Sequence, residues 1–504
     1  MRAQDTPHAK PSPNPGLIAL EHNVAAAVAT ADVVRTTLGP GGLDKLLVDQ
    51  MGNRVITNDG YTVLVSLKTN HPVSRLLVEI AERQEVSVGD GTTSAIIMAA
   101  EMLKEGYRIA SEEGIHPSRI IPAIDEGLTL LAEYLEGVSV AVTSINDPRI
   151  RSVLATATAS KLDGVQLAGL ITRSLAHLGE ANRPDLRHGL SLVRRLGEDE
   201  FLDGIAIARL PVELIPPGEV GSPRACLVRD SLKFPLRGGL SGEEKGREDR
   251  EREAVLAKLA GQHVNVVITN APEIDAGLKM AFVERKILLI RVATEDLGLL
   301  SRSLAIPLIY PVQFLGRAGV PSFAARELVY DEEKGLTIFR GPDSGTVSTL
   351  VVGGATTETS KERMRTCVDG ISAVHFAMKG GVVAGGGIAE LNAARYLEKK
   401  MQEGGRDVAG LSILIRGLEA VSRQILDNAG YDGDEMIAKL RGRPDGEGID
   451  IRTGDFVPMI DRGIMDPRLI KLHGIQLAAH ITKTILKIDR NLVKDDGAPA
   501  AGSS

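Results

Sequence analysis

The sequence predicts a multi-domain protein in which a mostly helical domain, built from both ends of the chain, carries an inserted α/β middle. Its 504 residues suggest about three domains at roughly 150 residues each. Apolar residues have helical spacing before residue 140 and again after residue 361. Between these parts, short aliphatic segments alternate with helices or loops, which is typical of α/β structure. Because the helical pattern resumes, insertion is the simplest arrangement.

The N-terminal part is predicted to contain three helices and two short strands, separated by glycine-bearing turns. The helices cover residues 22–37, 73–86 and 92–110, and the strands cover residues 46–48 and 54–57. The turns are LGPGG at residues 38–42, NDG at residues 58–60 and VGDG at residues 88–91.

The middle and C-terminal parts differ in pattern. Strands are predicted at residues 225–228, 264–269, 287–292 and 306–310. A mixed-charge run, EEKGREDRERE, precedes AVLAKL within residues 242–260, and by composition alone it is typical of a solvated helix. Long helices are predicted at residues 388–399 and 411–429, with Gly430 as a C-cap of the second.

Composition limits the possible functions. Hydrophobic residues make up 43% of the chain and charged residues 25%, which is ordinary for a globular protein. Aromatic residues are only 3%, so we expect a mainly aliphatic core. The net charge of −7 argues against a nucleic-acid partner. Cys226 and Cys367 lie in no CxxC or His cluster, which argues against a zinc site or disulfide framework and favours a reducing cytoplasm.

The chain ends are expected to carry no targeting signal. No uninterrupted apolar run approaches the roughly 20 residues of a membrane span, so no membrane partner is expected. Residues 1–16 contain four prolines and no apolar core, which predicts a disordered arm rather than a signal peptide. The tail after Lys494 is predicted to be disordered as well.

The segment VGDGTTSA at residues 88–95 is the strongest candidate site. Glycines allow backbone N–H groups to approach a phosphate, and the hydroxyls that follow stand at a helix N-terminus, whose dipole favours anions. Asp90 would repel a phosphate unless a cation lay between them, so we interpret it as a Mg²⁺ ligand. The alternative is an N-capped helix after a glycine turn, since the segment lacks the lysine of a Walker A loop.

Three further features each have a functional and a structural interpretation. The segment TLGPGG at residues 37–42 can cradle a phosphate or simply end a helix. Asp59 can orient a water for attack on a γ-phosphate, or it can form an Asx turn. Asp369, on a predicted helix, is a catalytic candidate or a solvated acid.

Together these segments resemble the chaperonin family. TTLGPGGLDKLLVD, VITNDGYTVL, VGDGTTSA, VVAGGGIAEL and GIDIRTG…GIMDP occur in the family's order and approximate spacing between residues 20 and 490. Asn58 and the segment TASK at residues 158–161 are similar to thermosome-like group II subunits, whereas KERMRTCVD and IMDP look bacterial, a mixture that resembles group III. The resemblance implies an ATP-dependent subunit whose ring encapsulates unfolded proteins and assists folding through ATP-driven closure.

The resemblance also implies three domains. An equatorial ATP-binding domain would comprise residues 1–140 and 382–504, a small α/β intermediate hinge domain residues 141–203 and 354–381, and an apical substrate-binding domain residues 204–353. A helical lid protrusion is expected near residues 242–260, although this segment is shorter than the thermosome pattern. The alternative is a separate co-chaperonin lid.

Residue roles follow by carry-over onto matching positions. Asp59 and Asp369 would be catalytic and would orient the attacking water, and Asp90 would hold Mg²⁺. Lys161 would sense the γ-phosphate, and Asp466 would contact the ribose. The implied nucleotide contacts are Thr37, Leu38, Gly39, Pro40, Asn58, Gly91, Thr92, Thr93, Ser94, Lys161, Gly386 (against the nucleoside), Asp450 (near the base) and Asp466.

The implied ligands are ATP and Mg²⁺, and the implied partners are unfolded client proteins and further copies of the chain. One or two stacked rings are expected, with eightfold symmetry and no separate lid protein. Two positions depart from the family pattern: Gly41 replaces the usual basic residue after LGP, and Gly370 replaces the usual Ala after Asp369. Two alternatives stay open: a non-hydrolysing scaffold of the same fold, and an unrelated small-molecule kinase or ATP-dependent ligase.

Overall fold

The fold was described from a computed structural model, which covers residues 15–48, 52, 54–67, 69–178, 186, 190–212, 220, 222–234, 244–311, 319–342, 347–404 and 408–490. The chain forms two compact units, which we call unit 1 (Met1–Ala141 and Lys379–Ser504) and unit 2 (Val142–Met378). Residues 1–14 of the predicted arm and the tail after Lys494 lie outside the described residues.

The described helices, in chain order, are α1 Pro15–Arg35, α2 Gly60–Ser66, α3 Pro72–Val88, α4 Thr92–Glu112, α5 Pro117–Gly137, α6 Pro148–Ala157, α7 Gly164–Leu178, α8 Glu244–Gly261, α9 Ala276–Glu284, α10 Thr294–Ser303, α11 Thr357–Gly380, α12 Ile388–Gln402, α13 Val408–Asn428, α14 Gly433–Arg441 and α15 Arg468–Leu486. The described strands are β1 Lys45–Val48, β2 Arg54–Thr57, β3 Leu190–Arg194, β4 Glu200–Asp203, β5 Ile205–Ile207, β6 Arg224–Val228, β7 Val266–Thr269, β8 Leu288–Arg291, β9 Phe323–Asp331, β10 Leu336–Pro342, β11 Ser348–Val352, β12 Val382–Ala384, β13 Glu447–Asp450, β14 Asp455–Pro458 and β15 Met465–Pro467.

The predicted fold class is confirmed, since unit 1 is largely helical and unit 2 holds α/β structure. The helix predicted from residue 22 begins earlier, at Pro15, so the predicted arm is wrong at its last two residues. Proline is favoured at the first helical position because its fixed φ suits a helix and its missing N–H needs no acceptor.

Helix α1 is the most apolar long helix among the described residues that could be compared with a membrane span. Gly16–Arg35 is long and apolar enough to cross a membrane by length and composition alone. In the structure, Ala27, Ala31 and Val34 of this helix are buried in the core of unit 1.

Small residues let the helices of unit 1 pack closely. Its core is aliphatic and draws mainly on α1, α4, α5, α13 and α15. On α13, a Cβ added at Gly410 would lie 2.3 Å from the Cβ of Ala123 and 2.9 Å from the carbonyl oxygen of Ile120, both on α5. The backbones of α5 and α13 therefore approach each other too closely for any side chain at residue 410.

The two crossing segments of the chain lie side by side in unit 1. Val140 and Val382 exchange backbone hydrogen bonds of 2.8 and 2.9 Å. A Cβ at Gly381, where φ is +75°, would lie 2.7 Å from the Val140 carbonyl oxygen. The chain therefore leaves and re-enters unit 1 at one point, as the predicted insertion requires.

The described residues of unit 2 form two sheets. One has six strands in the order β5-β10-β9-β6-β7-β8, in which β6, β7 and β8 are parallel, and the other has the order β3-β11-β4. The predicted strands at residues 225–228, 264–269 and 287–292 are confirmed as β6, β7 and β8. The fourth, at residues 306–310, forms only a bridge from Ile309 to Val228. Pro307 and Pro311 lack the N–H groups that would extend a ladder.

The mixed-charge segment forms α8, as predicted. Its C-terminal half is anchored rather than solvated, since Val255, Leu256 and Leu259 are buried against the sheet around β6 and β7. Arg252 forms a 3.0 Å ion pair with Asp275, at the start of α9. Residues 242–243 of the predicted protrusion lie outside the described residues, and its role as a lid stays a prediction.

The packing of α5 against α13 gives a stability test. We expect Gly410→Ala to lower the free energy of unfolding by about 1–3 kcal/mol, since overpacking forces backbone shifts. The loss would appear as a lower denaturant midpoint, followed by circular dichroism at 222 nm. Gly137→Ala is the matched control, because no atom lies within 4 Å of its added Cβ. A control that lost as much stability as Gly410→Ala would contradict the packing argument.

Candidate functional site

The LGPGG turn after α1 is a closed loop held by its own backbone. Leu43 N–H donates to the Thr36 carbonyl at 2.7 Å, and Gly42 N–H donates to the Gly39 carbonyl at 2.9 Å. A Cβ at Gly42 would lie 2.3 Å from the carbonyl oxygen of Thr37, and Gly39 has a φ of +77°. Glycine is therefore required here by close approach and by backbone conformation.

Asn428, at the end of α13, anchors this loop. Its amide nitrogen donates to the carbonyls of Arg35 at 2.9 Å and Leu38 at 2.8 Å. A Cβ at Gly41 would lie 2.6 Å from the Asn428 carbonyl oxygen, so the glycine that replaces the family's basic residue fits a close backbone contact. Asn428 was not predicted from the sequence, although an amide side chain two residues before the Gly430 C-cap is typical of a residue that hydrogen-bonds nearby backbone.

The other members of the loop differ in exposure. Thr37 is buried, and its hydroxyl donates to the Val34 carbonyl at 2.9 Å. Pro40 is exposed at the tip of the turn. The loop therefore presents backbone, rather than the Thr37 side chain, as its accessible surface.

Asp59 begins α2 as its N-cap. Its Oδ2 accepts a hydrogen bond from the Thr62 N–H at 2.9 Å and one from the Thr62 hydroxyl at 2.5 Å. Asp59 thus caps a helix through the N–H three residues on, and does not form the Asx turn given as its structural alternative. Capping does not exclude catalysis, because it holds the carboxylate in a defined orientation. The neighbouring Asn58 is buried.

The NDG turn contacts the first turn of α4. A Cβ at Gly60 would lie only 2.1 Å from the hydroxyl oxygen of Thr93. This approach is possible only for glycine, and it brings Asp59 close to the VGDGTT segment. Two candidate features that are separated in sequence therefore belong to one site.

The second loop ends α3 and starts α4 through two glycines with positive φ, Gly89 at +75° and Gly91 at +79°. No side chain caps the first turn of α4, which contains Thr92, Thr93 and Ser94. The N–H groups of a first helical turn have no helical acceptor, and the dipole is positive there, so this turn can bind an anion.

Asp90 is fixed from two sides. Its Oδ1 accepts a hydrogen bond of 2.6 Å from the Gly91 N–H, and its carbonyl accepts one of 3.0 Å from the amide of buried Gln84. Nδ1 of His473 lies 2.5 Å from Gln84 Oε1. Since that oxygen can only accept, Nδ1 carries the proton, and burial lowers the pKa of His473. Sequence analysis missed both Gln84 and His473.

The AGGG turn and the MDP segment meet as a short sheet. Strands β12 and β15 are antiparallel, with Val383 opposite Asp466. Gly386 has a φ of +66°, and a Cβ there would lie 2.9 Å from the terminal carbon of Met459. Ser422, on α13, donates to the Gly387 carbonyl at 2.7 Å. Gly386 and Asp466, far apart in sequence, thus lie on adjacent segments.

The fold and these loops can be compared with known proteins. The sequence model of the TCP-1/cpn60 chaperonin family matches residues 30–496 of this chain. The chain belongs to the TCP-1/cpn60 chaperonin family. Chaperonins of this family are ATPases that assist protein folding, and this chain is a chaperonin subunit.

Individual relatives agree with this assignment. The thermosome subunit alpha of Methanothermobacter thermautotrophicus is 29% identical over 496 residues, which cover 93% of this chain and 90% of the relative. The T-complex protein 1 subunit eta of Arabidopsis thaliana is 27% identical, with coverage of 97% and 93%. The crystal structure of a group III chaperonin in the open state matches the fold with a TM-score of 0.71 at 24% identity, covering 95% of this chain and 100% of that one.

Asp450 of this chaperonin subunit is engaged by two arginines. Its side chain is 1% exposed, and it pairs with Arg452 at 3.2 Å and with Arg462 at 2.7 Å. Hydrogen bonds from Arg452 and Arg462 lower the pKa of Asp450 to about 2. The carboxylate thus holds the β13–β14 hairpin, and its predicted position near the base stays a prediction.

Lys161 and Asp369 lie in unit 2 and pair with each other. Lys161 Nζ is 3.0 Å from Asp369 Oδ2, and both side chains are largely buried. Asp369 is therefore not a solvated acid. The next residue, Gly370, would place a Cβ 3.0 Å from Ile171 and 3.2 Å from Leu154. Residue 370 is thus where α11 packs closely on α6 and α7.

The donors present fit Mg²⁺ bound together with phosphates. Within the described residues, no group of three or more His, Cys, Asp or Glu side chains could hold a metal. Mg²⁺ takes most of its octahedral ligands from water and substrate phosphates and needs only one or two protein carboxylates. Asp90 could supply one such carboxylate.

The arginines around Asp450 predict a pH-dependent contribution to stability. We expect Asp450→Asn to lower the free energy of unfolding at pH 7 by about 1.5–3 kcal/mol, the range for hydrogen bonds to charged groups. A lowered folded-state pKa gives stability above the ordinary value of 3.8 that is lost as the pH falls toward about 2. In thermal melts at pH 7, 4 and 3, the difference in melting temperature between wild type and Asp450→Asn should therefore become smaller as the pH falls. A difference that stayed constant would contradict this account.

Proposed function

We propose that this chain is an ATP-hydrolysing subunit of a ring-forming chaperonin of thermosome or group III type. The observation that carries the proposal is the contact between Gly60 and Thr93, since it joins the Asp59 turn to the uncapped start of α4. A potential catalytic acid thus stands beside a potential phosphate site. Binding of ATP would use the residues predicted from the sequence, from Thr37 to Asp466.

The first turn of α4 would hold the phosphates. Backbone N–H groups at Thr92, Thr93 and Ser94 are free of side-chain caps and point along the positive end of the helix dipole. The LGPG loop would add backbone contacts. Asp90 would hold Mg²⁺, which neutralises charge on the phosphates when it is bound.

Asp59 and Asp369 would orient the water that attacks the γ-phosphate. Positioning and electrostatics supply most of the catalysis in phosphoryl transfer, so a carboxylate fixed by a cap suits the task. Lys161 would act as the γ-phosphate sensor. Because Lys161 and Asp369 form an ion pair in unit 2, a role for either at the nucleotide requires this pair to separate.

The catalytic assignment is tested with Asp369→Asn. We expect ATP turnover by the assembled protein to fall about 100-fold or more, the usual range for losing a general base. ATP affinity and assembly should be retained, because the amide keeps the shape of the side chain. Turnover is measured across the size-exclusion peak, and affinity by calorimetry.

The matched control is Glu358→Gln, which neutralises an exposed acid in the first turn of the same helix. It should hydrolyse ATP at the wild-type rate. Full turnover in Asp369→Asn would remove Asp369 from the mechanism. Assembled wild type that bound ATP without turnover would favour the non-hydrolysing scaffold, and turnover in a monomer peak would favour an unrelated ATP-dependent enzyme.

Self-association is proposed from an apolar surface on the β1–β2 hairpin. Leu46, Val48 and Ile56 point to one face and are each at least 60% exposed. An exposed apolar face on a two-stranded sheet is a common mark of a protein contact. We propose that a neighbouring copy covers it in a ring; one or two stacked rings with eightfold symmetry remain an expectation from the resemblance.

This surface can be tested with Ile56→Glu. Assembly would bury an unpaired carboxylate, which costs several kcal/mol, so the protein should elute near its 53.6 kDa chain mass instead of as a large oligomer. Val165→Glu is the control, since Val165 is a 90% exposed apolar residue on α7 of unit 2 and not part of the hairpin. An unchanged large peak for Ile56→Glu would show that the ring contact lies elsewhere.

Clients would contact apolar side chains of unit 2. Met280 and Val283 on α9 are exposed and provide such surface. We propose residues 242–260, most of which lie in α8, as a built-in lid, with a separate co-chaperonin lid as the alternative. No nucleic-acid or membrane partner is proposed. A cytoplasmic location suits Cys226 and Cys367, which are free and buried.

A further inference from the structure

Three charged side chains from separate segments meet beside the AGGG turn. Glu390 lies in the first turn of α12, Asp466 in β15, and Lys471 in the first turn of α15. Lys471 Nζ is 2.9 Å from Glu390 Oε1 and 2.8 Å from Asp466 Oδ2. One ammonium thus ties the helix after the glycine turn to the strand that carries Asp466.

The three side chains differ in exposure. Glu390 is 1% exposed, Lys471 14% and Asp466 18%, so Asp466 is the most accessible member. Burial alone would lower the pKa of Lys471, but Asp466 and Glu390 outweigh burial and raise it. The ammonium therefore stays charged, and it neutralises one of two carboxylates that would otherwise repel each other.

The position of the triad relates it to the nucleotide. Asp466 faces Val383 across the β12–β15 pair, next to the turn that contains Gly386. With Oδ2 bound to Lys471, the orientation of the Asp466 carboxylate is set by the ammonium and not by solvent. A carboxylate that accepts a hydrogen bond from a ligand hydroxyl needs a fixed orientation, since small errors of position weaken that hydrogen bond.

We infer that Lys471 is a positioning residue that holds Asp466 for the ribose hydroxyls and so sets the preference for ribonucleotides. Glu390 is the fixed partner that holds Lys471 in place. This inference rests on the proposed function, because Asp466 reads the ribose only if unit 1 binds ATP.

The test compares ADP with 2′,3′-dideoxy-ADP, which lacks both ribose hydroxyls and, like ADP, is not hydrolysed. Calorimetry on the assembled full chain gives the ratio of the two dissociation constants. Wild type should prefer ADP by about tenfold, the loss expected for one hydrogen bond to a charged group. In Asp466→Asn and in Lys471→Met this ratio should fall toward one.

A second variant protects the test against misfolding. Lys471→Met leaves Glu390 buried without its cation, which destabilises the fold. The double variant Glu390→Gln with Lys471→Met removes both charges, so no buried carboxylate is left at residue 390 without its cation. It still releases Asp466, so its ratio should fall as well. Size exclusion and thermal melts report whether each variant is assembled and folded.

Each outcome decides the inference. A ratio that collapses in Asp466→Asn and in both folded Lys471 variants supports it. If the ratio collapses only in Asp466→Asn, or if the Lys471 variants bind both nucleotides more weakly by the same factor, Lys471 is merely structural and the proposed function stands. If Asp466→Asn keeps the wild-type ratio, Asp466 does not read the ribose. If wild type binds neither nucleotide, the proposed function itself fails.

Discussion

Close backbone approach is the constraint on which the candidate site depends. At Gly42, Gly60 and Gly41, an added Cβ would lie between 2.1 and 2.6 Å from a neighbouring atom. The Gly42 contact closes the LGPGG loop on its own backbone, whereas the Gly41 and Gly60 contacts join loops to α13 and α4. The glycines therefore do more than allow tight turns, because they let the backbone of the candidate loops approach neighbouring segments closely.

Two helices, α13 and α15, hold these loops in register. Helix α13 contacts the LGPGG turn through Asn428 and the AGGG turn through Ser422. Helix α15 contacts the second loop through His473 and Gln84, and the MDP segment through Lys471. A shift of either helix would therefore move two parts of the site at once. A ligand that moved one of these loops would therefore also change how α13 or α15 packs in unit 1.

Buried charges in both units are paired with oppositely charged side chains. Asp450, the Lys161–Asp369 pair and the triad around Lys471 are each satisfied by oppositely charged partners. Such pairs gain little over well-packed apolar residues, but they penalise the loss of one partner heavily. The cationic partners determine which carboxylates are stable inside the protein. In the Lys161–Asp369 pair, each of two residues proposed for one reaction holds the other in place.

The sequence by itself determined the order of helical and α/β parts, the glycine turns and the family, because periodicity and short motifs are local properties. Predictions from the local pattern were wrong at residues 306–310, where prolines prevent a strand ladder, and at Pro15, where a helix begins earlier than predicted. Only the tertiary structure decided that Gly60 lies against Thr93 and that Lys471 joins Glu390 to Asp466. These contacts bring together residues remote in the chain, and their existence depends on how whole helices pack, which no local pattern encodes.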